Sequence, residues 1–297
     1  MRLVSFGPVG AEVPGVLLDG ERVVPLCPAL VAAGYPPLDM NSFLALYQLI
    51  ASDLEKHVLS APHTVAVEDV RLGPPITSPQ KVIVVGGNYQ SHLEEATAGV
   101  APSVPVIVYK PSNTVIGPND PLVRPPETEQ LDYETELVVV IGRGGHRISR
   151  ERAYDHVAGY MVGNDATARD VFIGELQVSP IFTQFARGKG FPTFSGFGPW
   201  LATPDEIADP HNLSIRCWVN GDLRQDGSTS QMILDVPSLV ESVSSTVRLS
   251  PGDVLFTGTP AGVGMKMEPP QYLKAGDVVE MEITGLGRMR TPVVDEA

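Results

Sequence analysis

LDYETELVVVIG, residues 131–142, places Glu134, Glu136, Val138 and Val140 on one side of an extended chain, because side chains in a strand alternate faces. The valines that follow the two glutamates imply that this side turns inward beyond the first residues of the strand. Two carboxylates about 7 Å apart along a strand, entering apolar surroundings, repel one another. Burying such charge costs several kcal/mol unless a cation compensates it. An all-oxygen ligand set suits Mg²⁺ or Mn²⁺, with Ca²⁺ a further option. Taken alone, the pair could instead sit on a wet strand end.

The rest of the chain repeats the short-strand pattern. KVIVV (81–85), PVIVYK (105–110), HNLSIRCWVNG (211–221), GDVLFTG (252–258) and GDVVEMEITG (276–285) are apolar runs between Gly and Pro. Asn220-Gly221 predicts a hairpin turn. Helices are expected over 149–160, capped by Ser149, and over 237–246. Before Pro75, strands are expected at 2–6, 15–18 and 22–26, with a hairpin at Asp19-Gly20. A helix is expected over Ser42–His57, capped by Asn41. The Pro- and Gly-rich stretch 71–80 marks a boundary, giving a small N-terminal unit (1–75) and a larger one (76–297). The expected class is α+β, mainly β, built on a large curved sheet or barrel.

Composition narrows the function. The 297 residues carry 21 Lys plus Arg against 35 Asp plus Glu, a formal charge of −14. No basic cluster answers the phosphate backbone of a nucleic acid, so none is expected as a partner. No apolar run approaches the roughly 18 residues of a spanning helix, so no membrane partner is expected. The N-terminus has no apolar signal core. Two distant cysteines, Cys27 and Cys217, argue against a disulfide framework and for a cytoplasmic setting.

Four further groups could carry chemistry. Asp165, in GYMVGNDATARD (159–170), could add a third carboxylate to Glu134 and Glu136, or serve as an Asx turn. His92 and Glu95 lie three apart in GGNYQSHLEEATAG, residues 86–99, the spacing of one helical face. A carboxylate beside an imidazole fixes its tautomer and raises its basicity, although such pairs also decorate surfaces. Lys189, between glycines in FARGKGFPTF, could hold an oxyanion or carboxylate, or be a solvated loop charge. DVLFTGTPAGVG (253–264) lacks a phosphate-loop ending, so its N–H groups or Thr259 suit a substrate carboxylate better.

Read in order, GGNYQSHLEEA, PVIVYKPSNTVIGPND, LDYETELVVVIG, VAGYMVGNDATARD, ARGKGFPTF, GPW, VNGDLRQ, LSPGDVLFTGTPAGVG and LKAGDVVEMEITGLG resemble the fumarylacetoacetate hydrolase family over about residues 81–287. The resemblance implies a mixed β-sandwich roll with a small N-terminal domain, a homodimer, and bound Mg²⁺ or Mn²⁺. It assigns Glu134, Glu136 and Asp165 as metal ligands, and His92 with Glu95 as a water-activating dyad on a lid over 89–100. It matches Lys189 to the family's GKxFD lysine, although Pro192 replaces the Asp of that motif. Arg169, Gln225 and Thr259 fall at substrate-contact positions. The activity implied is metal-dependent hydrolysis of a carbon–carbon bond in an acylpyruvate-like or 2,4-dioxo acid, through a metal-bound enolate. An oxaloacetate-type decarboxylase or a 2-oxo acid isomerase would use the same enolate. A non-catalytic binder on this fold is the remaining alternative, and the intact carboxylates and dyad count against it.

Overall fold

A computed structural model describes every residue except 98–100, 103, 175 and 177. The chain opens with strands β1 (Arg2–Phe6), β2 (Val13–Leu18) and β3 (Arg22–Pro25), then helices α1 (Leu26–Ala32) and α2 (Met40–Leu59). Next come β4 (Val82–Gly86), α3 (Gln90–Thr97), β5 (Val106–Lys110), β6 (Leu122–Arg124), β7 (Thr135–Ile141) and β8 (Val157–Asp165). Short helices α4 (Arg169–Ile173) and α5 (Phe185–Lys189) precede β9 (Ser195–Ala202), β10 (Ser214–Val219) and β11 (Asp222–Ser228). The chain closes with α6 (Val236–Thr246), β12 (Val254–Phe256), β13 (Val278–Ile283) and β14 (Gly287–Asp295).

These strands form two sheets, and the expected mainly-β α+β architecture is what the structure has. The larger sheet runs β3-β2-β1-β9-β8-β7-β12-β4-β5, the smaller β11-β10-β13-β14-β6. Alternation along β7 explains the layering. Leu137, Val139 and Ile141 join a core with Ile215, Met281 and Ile283 of the smaller sheet. Val138 and Val140 join another core with Phe43, Ile50 and Leu54 of α2. A central strand buried on both faces reads as a continuous apolar run for this reason. The N-terminal strands are not spatially separate, since β1 pairs with β9 (Arg2↔Ala202, Leu3↔Leu201) and extends the larger sheet.

Both expected hairpin turns form with left-handed pairs: Asp19 and Gly20 at φ 55° and 77°, Asn220 and Gly221 at φ 54° and 87°. Two local expectations are corrected. The segment 149–160 is not one helix: a 3₁₀ stretch covers Arg150–His156, and β8 begins at Val157. Pairing of β8 with both β7 and β9 buries all nine of its residues, and that tertiary environment outweighs local helix preference. Helix α2 starts at Met40, capped by Asp39, whose carboxylate accepts the Ser42 N–H at 2.8 Å. Asn41 instead donates to the Ser78 carbonyl at 2.9 Å.

Gly163 sits opposite Glu136 in the β7–β8 register. A Cβ there would lie 2.4 Å from Val138 Cγ2 and 2.7 Å from Phe256 Cε1. Gly163→Ala is therefore expected to lower stability by about 1–3 kcal/mol through overpacking, read as a lower midpoint in urea unfolding.

Candidate metal site

Strand pairing assembles the acidic group. Glu134 precedes β7, Glu136 lies in it, and Asp165 ends the neighbouring antiparallel β8. The Asp165 N–H donates to the Glu134 carbonyl at 3.0 Å, which locks the two segments together. One carboxylate oxygen from each of Glu134, Glu136 and Asp165 lies within 4.8 Å of the others, and all three side chains are buried. The two glutamates and the aspartate singled out in the sequence thus converge.

Cations surround two of the three. The Lys189 ammonium donates to Glu134 Oε2 at 2.8 Å, to Thr167 Oγ1 at 2.9 Å and to Asp165 Oδ2. Arg169 donates from Nη2 to Glu134 Oε1 at 2.7 Å and from Nε to Asp132 Oδ2 at 2.8 Å. Burial alone would raise the Glu134 pKa, but Lys189 and Arg169 outweigh it and hold this carboxyl well below its usual range. Burial likewise opposes the Lys189 charge, and Asp165 with Glu134 more than reverses that.

Glu136 differs. Its Oε2 accepts the Gly258 N–H at 2.7 Å, and among the described residues no Lys or Arg pairs with it. Burial, then Asp165 and Glu134, push its pKa well above the ordinary 4.5. Four buried carboxylates, counting Asp132, face three buried cations, counting Lys110. With every group charged, the cluster carries one formal negative charge in excess, and among the described residues Glu136 is the member with no cation beside it. Such an all-carboxylate oxygen set with an uncompensated charge fits a hard divalent cation such as Mg²⁺ or Mn²⁺.

Sequence reading missed Lys110 and Asp132. Lys110 ends β5, and its ammonium donates to Asp165 Oδ1 at 2.7 Å and to the Phe194 carbonyl at 2.5 Å. Burial, with Lys189 nearby, lowers its pKa despite Asp165. The available signal was parity: Lys110 shares the buried side of β5 with Val108. Asp132 shares the parity of Glu134 and Glu136, and it accepts the N–H groups of Gly264 and Met265 at 2.7 and 3.1 Å.

The cluster opens into a cavity of about 270 Å³ whose wall includes His92, Leu93, Phe172, Thr259, Met265 and Lys266. A larger groove of about 620 Å³ near Tyr47 and Glu55 lies apart from these carboxylates. His92 and Glu95 sit on α3 and face each other, Nδ1 to Oε2, at 3.5 Å, longer than a formed hydrogen bond. Glu95 is anchored by its other oxygen, which accepts the Gly262 N–H at 2.8 Å. Residues 98–100 of the expected lid lie outside the described residues. Gln225 is fully buried behind the wall: its oxygen accepts the Thr135 N–H at 3.0 Å, and its amide donates to Thr259 Oγ1 and the Pro260 carbonyl. Thr259 Oγ1 in turn donates to the Thr135 carbonyl at 2.9 Å. The residues expected at substrate thus divide, with Arg169 and Thr259 on the cavity wall and Gln225 bracing Thr259 from behind.

Residues 81–294 match the family model described as the fumarylacetoacetate (FAA) hydrolase C-terminal region. The chain is 41% identical over 300 aligned positions to the oxaloacetate tautomerase fahd2, mitochondrial, of Xenopus laevis, covering 99% of this chain and 90% of that one. The structure of 5-carboxymethyl-2-hydroxymuconate delta-isomerase from Mycobacterium smegmatis superposes with a TM-score of 0.75 at 32% identity, covering 100% of both chains. Maleylpyruvate hydrolase from Sphingobium sp. SYK-6, solved with manganese (II) and pyruvate, superposes with a TM-score of 0.81 at 27% identity, again covering 100% of both. The family model covers most of the chain and the similarity to the Xenopus relative runs along nearly all of it: this chain belongs to the fumarylacetoacetate hydrolase family.

Proposed function

We propose that the chain is a divalent-cation-dependent enzyme of 2-oxo acids, and that its reaction is the keto–enol interconversion of an oxaloacetate-like substrate. The observation that carries this reading is Glu136, a buried carboxylate that no cation pairs with among the described residues, beside Glu134 and Asp165 and within one cavity with His92. Similarity to an oxaloacetate tautomerase across nearly the whole chain favours tautomerisation. The cavity, about 270 Å³, falls below the roughly 300–1,000 Å³ of drug-sized sites and suits a small acid.

Glu134, Glu136 and Asp165 would hold Mg²⁺ or Mn²⁺, and Lys189 and Arg169 keep Glu134 ionised for that purpose. When bound, the ion supplies charge stabilisation to the oxygen of the 2-oxo group as electron density builds there. The remaining work is proton transfer. His92 Nδ1 is turned to Glu95, which leaves Nε2 to accept a proton from the carbon next to the oxo group. That C–H bond breaks, the carbon–carbon double bond forms, and the proton returns to the former carbonyl oxygen, with no net oxidation. Glu95, fixed by Gly262, orients the imidazole. Thr259, whose hydroxyl donates to the Thr135 carbonyl and accepts from Gln225, shapes the cavity wall beside the substrate. We take residues 76–297 as the catalytic unit, with 1–75 covering one face of the sheet, and the working form as a cytoplasmic homodimer, although relatives bear the word mitochondrial in their names.

A second reading, hydrolysis of an acylpyruvate, draws support from the same dyad, which could deprotonate water as readily as carbon. Oxaloacetate decarboxylation would need neither water nor that deprotonation. Three assays separate them: decay of enol-oxaloacetate by ultraviolet absorbance, pyruvate release from acetylpyruvate, and pyruvate release from oxaloacetate. Each is run with Mn²⁺ or Mg²⁺ against the same ion without protein. We expect the first to be accelerated, EDTA to remove the acceleration, and fresh metal to restore it. Acceleration that persists at full strength in EDTA would refute the cation requirement.

A further inference from the structure

Lys266 is a cavity-wall cation with no task in the mechanism above. The neighbouring cations are all engaged: Lys189 with Glu134 and Asp165, Arg169 with Asp132 and Glu134, and Lys110 with Asp165. Lys266 lines the same cavity, is half-buried, and among the described residues has no ion-pair partner. The turn that carries it, Gly264–Lys266, is held in place by the Asp132 carboxylate, which accepts N–H groups from both Gly264 and Met265. That carboxylate also accepts from Arg169 Nε, and Arg169 donates to Glu134. Two side chains therefore tie the root of Lys266 to the cluster, so its position relative to the three carboxylates is fixed by the fold.

The substrate's chemistry supplies the other half. A 2-oxo acid turned toward the carboxylate cluster brings its carboxylate and oxo oxygen there. In a four-carbon diacid the second carboxylate lies beyond one methylene, away from that cluster. It would enter space walled by Leu93, Phe172 and Met265, where an ionised group loses water and needs a cation. A lysine can bury its aliphatic stem against such a wall and present the ammonium at its end. We propose that Lys266 receives the second carboxylate of a 2-oxo dicarboxylate and so selects diacids over monoacids. This rests on the 2-oxo acid reading of the site.

The test compares the full-length protein loaded with Mn²⁺, its Lys266→Met variant and its Lys266→Arg variant. Affinities for oxaloacetate and for pyruvate are measured by calorimetry, and circular dichroism checks the fold. The parent is expected to prefer the diacid by about tenfold or more, the usual worth of a hydrogen bond to a charged group. Lys266→Met is expected to lose that preference while still binding pyruvate, and Lys266→Arg to keep most of it. A parent that binds both acids equally, or a methionine variant that retains the preference, overturns the assignment. If the parent binds neither acid with Mn²⁺ present, the 2-oxo acid reading fails and takes this subsite with it. If Lys266→Met abolishes the preference but no tautomerisation or cleavage is found, the subsite stands and only the reaction is wrong.

Discussion

Glu136→Gln is expected to lower Mn²⁺ affinity by more than about 100-fold and to abolish metal-dependent turnover, while leaving the metal-free protein as stable as the parent or more so. Glutamine keeps the shape of the side chain and its oxygen can still accept the Gly258 N–H now held at 2.7 Å. What it removes is a negative charge that burial, Asp165 and Glu134 all disfavour. A carboxyl whose folded-state pKa is raised binds more protons folded than unfolded, so its contribution to stability falls as pH rises through that window. Removing the charge should relieve that penalty at neutral pH, and a bound divalent cation should relieve it in the parent. The same shift sets the pH dependence of metal binding, which requires ionised ligands. Mn²⁺ affinity should fall on acidification above the ordinary carboxylate value of 4.5, as Glu136 takes up its proton. Calorimetric titration with Mn²⁺ and thermal unfolding without metal read both effects. Unchanged Mn²⁺ affinity in the variant would remove Glu136 from the ligand set.

His92→Ala is expected to reduce turnover by about 10²–10⁴-fold, the typical worth of a positioned general base, with Mn²⁺ affinity changed by no more than a few fold. The separation follows from geometry. His92 lies on α3 at the cavity wall, whereas the acidic cluster is built on β7 and β8. The imidazole makes no formed hydrogen bond through Nδ1, which stands 3.5 Å from Glu95, so its removal is expected to cost the fold little. Glu95→Gln should cost less, because an amide oxygen can still accept the Gly262 N–H and hold the end of α3 in place. Its signature would be a shifted pH–rate profile, the mark of a residue that orients the base. An alanine variant of His92 that turns over at the parent rate would dismiss the imidazole as the proton carrier, whichever reaction the enzyme performs.

Much of the strand framework follows from local covalent geometry. Alternation of side chains places Glu134, Glu136, Val138 and Val140 on one face whatever the rest of the chain does, and it also assigns the valines to a core. Asp19-Gly20 and Asn220-Gly221 turn their hairpins because those residues tolerate left-handed backbone. The ordered run of motifs, read along one chain, was enough to point to the family later matched over residues 81–294. Where local preference and tertiary context disagreed, context prevailed. Residues 157–160 joined a strand because β7 and β9 were waiting on either side.

The amino-acid sequence by itself determined which acidic side chains share a face and that a buried pair needs positive charge. Which positive charge answers which carboxylate was decided only by the tertiary structure. Lys110 and Asp165 meet across 55 residues of chain, and Lys110 reaches the Phe194 carbonyl across 84. No periodicity spans such intervals, because these contacts depend on how the loops close. The same closure gave Glu134 two cations and, among the described residues, Glu136 none, so chemically alike side chains two residues apart acquired opposite titration behaviour from their surroundings.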